Sequence, residues 1–139
     1  MVWAIAYLMA LANAPPAIVL IDKPVTVAMD VPEPARRSEV LFLKLEGVVA
    51  QRSAPVMWNV FWNMPEANAQ TSVDNEHFVG YIASPANSAV RHPKPANYTV
   101  ELPVAAVRAA HRLRTIRFTF VPLRKLPEGG VTITALRLE

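Results

Sequence analysis

The chain contains no cysteine. A disulfide framework, a thiolate metal site and a cysteine nucleophile are therefore all excluded. The absence leaves the compartment open, because exported proteins without disulfides are common. Glycine is scarce, at four residues, while proline is abundant, at thirteen. Chain breaks must then be set mostly by proline, which ends helices and restricts the residue before it. Long helices are not expected. Charged residues are only 18 per cent of the total, with 14 Lys and Arg against 11 Asp and Glu, a formal charge of +3. Catalytic signatures are missing as well: no nucleophile elbow, phosphate loop or G-x-G-x-x-G run occurs.

What is plentiful is apolar material, at 53 per cent of 139 residues. That suits one domain with a real core. Part of it is concentrated at the start. Val2–Leu11 is almost wholly apolar and is followed by Ala12-Asn13-Ala14, the shape of a secretory h-region with a small-residue cleavage site. No Lys or Arg precedes the run, and Pro15 stands where a mature chain would begin. The run is also shorter than the roughly 20 residues that span a bilayer. Two expectations follow: an exported protein if the run is a signal peptide, and otherwise a cytoplasmic one in which the segment packs on the domain body or on a partner.

Beyond this leader, strand patterns alternate with breakers. Ala17–Ile21 and Val25–Val31 are short strand candidates, within a strand-forming linker region over 17–38. Its end, Pro32–Ser38, has the look of an extended linker. Glu39–Val49 places Leu41, Leu43 and Leu45 on one face, and Gly47 marks a bulge or an end. Val56–Asn63 puts Trp58, Val60 and Trp62 on one face, so the two tryptophans are expected in the core. Met64–Asn75 is a polar loop. His77–Ala83 follows with Phe78, Gly80 and Ile82 in phase, then Tyr98–Leu102. Pro103 opens the one helix, Val104–Leu113, with Val104, Val107, Ala110 and His111 on one side. Ile116–Val121 points Ile116, Phe118 and Phe120 inward and Arg117 and Thr119 outward. Glu128-Gly129-Gly130 turns into a last strand, Val131–Leu138. The whole is an all-β domain over 39–139: an antiparallel sandwich or small barrel of about seven strands with one short helix.

The three histidines, His77, His92 and His111, show no metal-binding spacing. His77 is expected to face solvent, His92 to sit in a proline-rich loop, and His111 to lie near a helix C-terminus, where the dipole favours a cation. Arg108, Arg112, Arg114, Arg117, Arg124 and Lys125 form a basic stripe, with no acid between Leu102 and Pro127. Such a stripe suits an anionic partner. Aromatic interleaving of the kind that stacks nucleic-acid bases is thin, because Phe118 and Phe120 are in the core phase. Asn97-Tyr98-Thr99 is a glycosylation sequon, relevant only in a eukaryotic secretory pathway.

Several segments, in order, resemble the C-terminal region of plant-type polyphenol oxidases, the catechol oxidase and tyrosinase relatives. Ile21–Val27 resembles the stretch that leads into their linker. Val40–Val48 (VLFLKLEGV) resembles the first strand after it. Met57, Trp58, Asn59 and Val60 take the positions of the K-F-D-V signature, with Val60 alone identical, and Asn63 follows in the Y-x-N that comes after. Glu76–Gly80, containing Phe78 and Gly80, resembles an E-F-A-G strand with one residue inserted. Tyr98–Val107 and Val131–Glu139 resemble the later passage and closing strand. The resemblance spans about 120 residues, from Ala17 onward.

It implies a β-sandwich without copper ligands that covers the dicopper entrance of a latent oxidase. A coupled dicopper centre takes about six imidazoles, a ligand suited to copper, so no cofactor is expected on this chain and copper only in a partner or a separate copper domain. The expected role is a non-catalytic shielding or accessory domain of a type 3 dicopper polyphenol oxidase, in the same or a separate chain, that covers the active site or assists maturation. The alternatives are a general sandwich that binds protein or carbohydrate, and, more weakly, a nucleic-acid binder using the 108–125 stripe, with Arg108, Arg112, Arg114 and Arg117 as the anionic-partner face. No membrane span is expected, and an exposed edge strand would allow homo-oligomers.

Overall fold

A computed structural model describes residues 18–50, 56–84, 95–123 and 130–139. The apolar leader, Ala17, His92, Arg124, Lys125 and the start of the glycine turn lie outside the described residues. Among those described, nine strands form two antiparallel sheets. They are β1 (Ile18–Leu20), β2 (Val25–Asp30), β3 (Phe42–Ala50), β4 (Val56–Trp62), β5 (Phe78–Ser84), β6 (Ala96–Glu101), β7 (Thr115–Pro122), β8 (Val131–Ile133) and β9 (Ala135–Leu138). One sheet runs β1-β8-β3-β6, with β9 also on β3; the other runs β2-β7-β4-β5. Neither closes on itself, so the architecture is the sandwich and not the barrel. Of the strand-forming linker region expected over 17–38, the described residues supply β1 to one sheet and β2 to the other.

The core follows from strand alternation. Leu41, Leu43 and Leu45 meet Trp58, Val60 and Trp62 and Ile116, Phe118 and Phe120 between the sheets, all buried. Burial of each such side chain contributes about 1.5–3 kcal/mol, and three in-phase rows give the sandwich most of its cohesion.

Alternation fails where a second layer exists. Phe61, Thr119 and Val121 are in the outward phase yet fully buried. Thr119 was expected in solvent. Instead its hydroxyl meets that of Thr26 at 2.9 Å, while Phe61 and Val121 pack with Ala67, Met64 and Phe78 in a separate small core. The segment between β4 and β5 folds back to form that layer, and Trp62 and His77 anchor it. The Trp62 indole N–H donates to the Glu76 carbonyl at 3.1 Å, and His77 Nδ1 lies 2.8 Å from the Trp62 carbonyl. His77 therefore does not simply face water: its ring is half-buried, 4.7 Å from that of Trp62.

Phe78, Gly80 and Ile82 are likewise not in phase. The β4–β5 register runs Val60 to Gly80 but Phe61 to Phe78, skipping Val79. This bulge sends Phe78 to the outer layer and leaves Gly80 and Ile82 facing the inner one.

Pro32–Ser38 is not an extended linker. Glu33–Arg37 forms a 3-10 turn, with Ala35 and Arg36 donating to the Pro32 carbonyl at 2.9 and 3.3 Å. The φ that proline fixes suits a tight helical turn as well as an extended chain, and a first-turn proline needs no donor. Ala35 is buried where this turn packs on helix α1 (Val104–Arg112). Pro103 stands one position earlier than expected, as the N-cap. The buried stripe is Ala106, Val107, Ala109 and Ala110, whereas Val104 is 65% exposed and His111 faces outward. Small alanines allow the helix close to the sandwich. The imidazole Nε2 of His111 contacts the Ser38 carbonyl at 2.6 Å. Helix and turn are the crossings β6 to β7 and β2 to β3, and together they close one end.

The final strand is split at Thr134, opposite a kink in β3. Gly47 there has φ +64, its N–H donates to Asn97 Oδ1 at 3.0 Å, and the register with β6 shifts between Leu45 and Val48. At the chain's end the Lys44 ammonium, 2.6 Å from Glu139, holds that carboxyl below the usual range. The pair is exposed and contributes little; what it adds is present above the ordinary carboxylate pKa and fades as pH falls through the lowered one.

A Cβ at Gly47 would stand 2.4 Å from Thr134 Oγ1 as well as strain a left-handed backbone. Gly47→Ala is therefore expected to destabilise the domain by more than about 1 kcal/mol, seen as a lower urea midpoint at unchanged m-value. A midpoint equal to wild type would contradict the bulge geometry.

Candidate functional site

The motif positions divide by strand phase. In β4, Trp58 and Val60 point inward and are buried, while Met57 and Asn59 lie on the outer face of the β2-β7-β4-β5 sheet. The Trp58 indole N–H is buried and has no hydrogen-bond partner among the described residues. Asn59 is paired across the sheet with Tyr81 on one side and Val121 on the other. Asn63, just past β4, takes a left-handed conformation with φ 44. Its N–H donates to the Arg117 carbonyl at 2.7 Å, and its side-chain oxygen accepts from the Arg117 N–H at 2.9 Å. Asn tolerates this conformation better than most residues, and it fastens the end of β4 to β7. Phe78 packs edge-on to Phe61, ring centroids 5.6 Å apart. At Gly80 a Cβ would stand 3.0 Å from Val100 Cγ1, so the small residue lets the two sheets meet. Trp58, Val60, Asn63, Phe78 and Gly80 thus fill the cores or answer backbone and packing constraints, Asn59 is buried, and Met57 faces solvent.

The basic residues are brought together only in part. Arg108 and Arg112 are one turn apart on the exposed side of α1. Arg114 lies just beyond the helix, its carbonyl accepting from the Val31 N–H at 2.8 Å. Arg117 belongs elsewhere, on the outer sheet face beside Asn63, Pro65 and Thr115. Arg36 and Arg37 join the helix end of the molecule through the 3-10 turn, a neighbourhood that sequence distance conceals. Among the described residues, no three His, Asp or Glu side chains converge. His77 and His111 are each engaged with a backbone carbonyl on separate elements.

Among the described residues, two apolar surfaces stand out. The folded-back 63–77 segment covers only part of the outer sheet face. Past it stand Met57, Leu123 and Tyr81, the last 63% exposed, with the Leu123 N–H donating to the Met57 carbonyl at 2.9 Å. Sequence phase alone places Met57 and Tyr81 opposite the core; it does not show that the covering stops short of them. The second surface is a cleft of about 870 Å³ where β2 and β9 face each other across the open side of the sandwich.

The role of Asn63 is open to a direct check. Asn63→Gly loses one hydrogen bond, about 0.5–1.5 kcal/mol, but keeps the left-handed backbone. Asn63→Ala adds about 1–2 kcal/mol of conformational cost. The alanine variant is expected to be the less stable in chemical denaturation; the reverse order would remove the backbone argument.

No family model matches the chain, and no curated protein matches it. Solved structures do. A recombinant latent aurone synthase, a polyphenol oxidase, superimposes with a TM-score of 0.67 at 15% identity, over 93% of this chain and 26% of that one. The same enzyme from natural source gives 0.65 at 14%, over 88% and 25%. Latent apple tyrosinase gives 0.65 at 18%, over 92% and 27%. Over nearly its whole length, then, this chain has the fold of about one quarter of a plant polyphenol oxidase.

Proposed function

We propose that the chain is a non-catalytic accessory domain of a type 3 dicopper polyphenol oxidase, one that shields the active site or assists its maturation. The observation that carries this reading is the coverage: 93% of this chain matches 26% of enzymes that are themselves described as latent. The three histidines cannot make up a coupled dicopper set of about six imidazoles, so any copper belongs to a partner or to a separate copper domain.

The surface best suited to meet such a partner is the uncovered part of the outer sheet face. Met57, Tyr81 and Leu123 present apolar area with one hydroxyl, the mixture that protein interfaces favour in their centres. The motif strand β4 runs directly beneath it. A carbohydrate-binding module would need an exposed aromatic row, and the strand tryptophans are buried. Nucleic-acid binding is less favoured too, since Arg117 is separated from Arg108 and Arg112.

Titration of the purified chain into an active type 3 copper oxidase from the same source, with catechol oxidation followed, tests the proposal. Saturable inhibition relieved by protease indicates shielding; stimulation confined to copper loading indicates maturation. Tyr81→Glu is expected to weaken either effect by about tenfold or more, as loss of an interface anchor does, with stability near wild type because the side chain is exposed. No effect at large excess sinks the functional reading, and an unaltered effect of Tyr81→Glu sinks the choice of face.

A further inference from the structure

We propose that the apolar run ahead of β1, Val2–Leu11, is the occupant of the cleft between β2 and β9. The inference is independent of the oxidase reading. Its starting point is a burial anomaly. Val25, Val27 and Met29 of β2 are in the inward phase and pair with Phe120, Phe118 and Ile116, all fully buried, yet each of the three is only partly covered. The same holds for Ile18 and Leu136 across the cleft. The shortfall is one-sided. β2 is an edge of its sheet and β1 an edge of the other, and among the described residues no strand joins them.

The chemistry of the cleft selects its occupant. Ile18, Val27, Met29, Ala35, Leu136 and Leu138 make its apolar walls. Of the rim charges, Arg137 is paired with Glu46 at 3.1 Å and Glu139 with Lys44 at 2.6 Å, and Asp30 is exposed to solvent at the end of β2. The walls themselves are apolar and suit an apolar occupant. The chain supplies a matching segment. Residues 1–17 contain no Asp, Glu, Lys, Arg or His, and Val2–Leu11 adds Trp3, Ile5, Tyr7, Leu8, Met9 and Leu11. An apolar run of that extent seeks cover.

Connectivity supplies the reach. The chain enters the described fold at Ile18, which is itself a wall of the cleft. Leu11 is seven residues earlier, a distance that extended chain covers with up to about 23 Å. The fit is one of side chains and not of ladder hydrogen bonds, because Pro15 and Pro16 lack the donors that would continue β1 along β9.

The absence of cysteine makes the test clean. Leu8→Cys or Leu11→Cys is combined with Met29→Cys on one wall, with Leu136→Cys on the other, or with Tyr81→Cys on the far side of the molecule as the control. Each variant of the 139-residue chain is checked for native circular dichroism and oxidised at low protein concentration. The expected result is an intramolecular disulfide in the cleft pairs, forming about tenfold or more faster than in the control because the local effective concentration is higher. The inference is overturned if no cleft pair closes, if the control closes as readily, or if the products are disulfide-linked dimers. The last outcome would assign the cleft to the same run of a second copy.

Discussion

Trp62 is the joint between the two hydrophobic layers of this molecule. Its ring is buried with the main core, its indole N–H and its carbonyl hold Glu76 and His77, and its own N–H donates to the His77 carbonyl at 2.8 Å. Those bonds return the chain to β5 in a fixed place, and the intervening residues then cover Phe61 and Val121. A β-sandwich with a wet outer face becomes, over part of that face, a three-layer structure. The bulge at Val79 belongs to the same arrangement, because it lets Phe78 turn outward to Phe61 while Ile82 still faces the core.

This explains which parts of the fold were legible in the sequence. Rows such as Leu41, Leu43 and Leu45, or Ile116, Phe118 and Phe120, depend only on the period of a strand, and alternation places them in the core. Phe61 and Thr119 depend on what the 63–77 segment does, and no local pattern announces that. The 3-10 turn was hidden for a related reason: proline-rich sequence fits an extended chain and a tight turn equally, and the packing of Ala35 on α1 decides between them. On the helix, Val104 looked like a core residue by spacing, but the alanine stripe wins because only small side chains let the helix lie close to the sandwich. For the candidate site, the motif strand was legible and the uncovered face above it was not, since its extent is set by where the folded-back segment stops. Arg36 and Arg37 lie about seventy residues from Arg108, and only the crossings at the closed end make them neighbours.

The motif positions are occupied by side chains that answer to the fold. Trp58 and Val60 fill the core, Asn63 and Gly80 answer backbone and packing constraints, and none touches a candidate reactive group. A pattern of this kind records a fold more than an activity. It agrees with the superposition on about a quarter of polyphenol oxidases at identities of 14–18%, a level at which architecture persists after most side chains have changed.

The two uncovered apolar surfaces lie at opposite edges of one sheet, β5 beside the Tyr81 face and β2 beside the cleft, and they differ in kind. The cleft is concave, borders the entry of its own chain and can be filled without a partner. The Tyr81 face is a strand surface bounded by the molecule's own covering segment, and among the described residues nothing approaches it from within. Filling the cleft would bury apolar area at the cost of ordering a segment already tethered there, so the loop-closure penalty is small. Covering the Tyr81 face must overcome the larger entropic cost of association, which a modest patch meets only with a complementary surface or a covalent tether. If such a partner is an oxidase domain on the same chain or bound beside it, tethering or high local concentration would supply what the patch area alone does not.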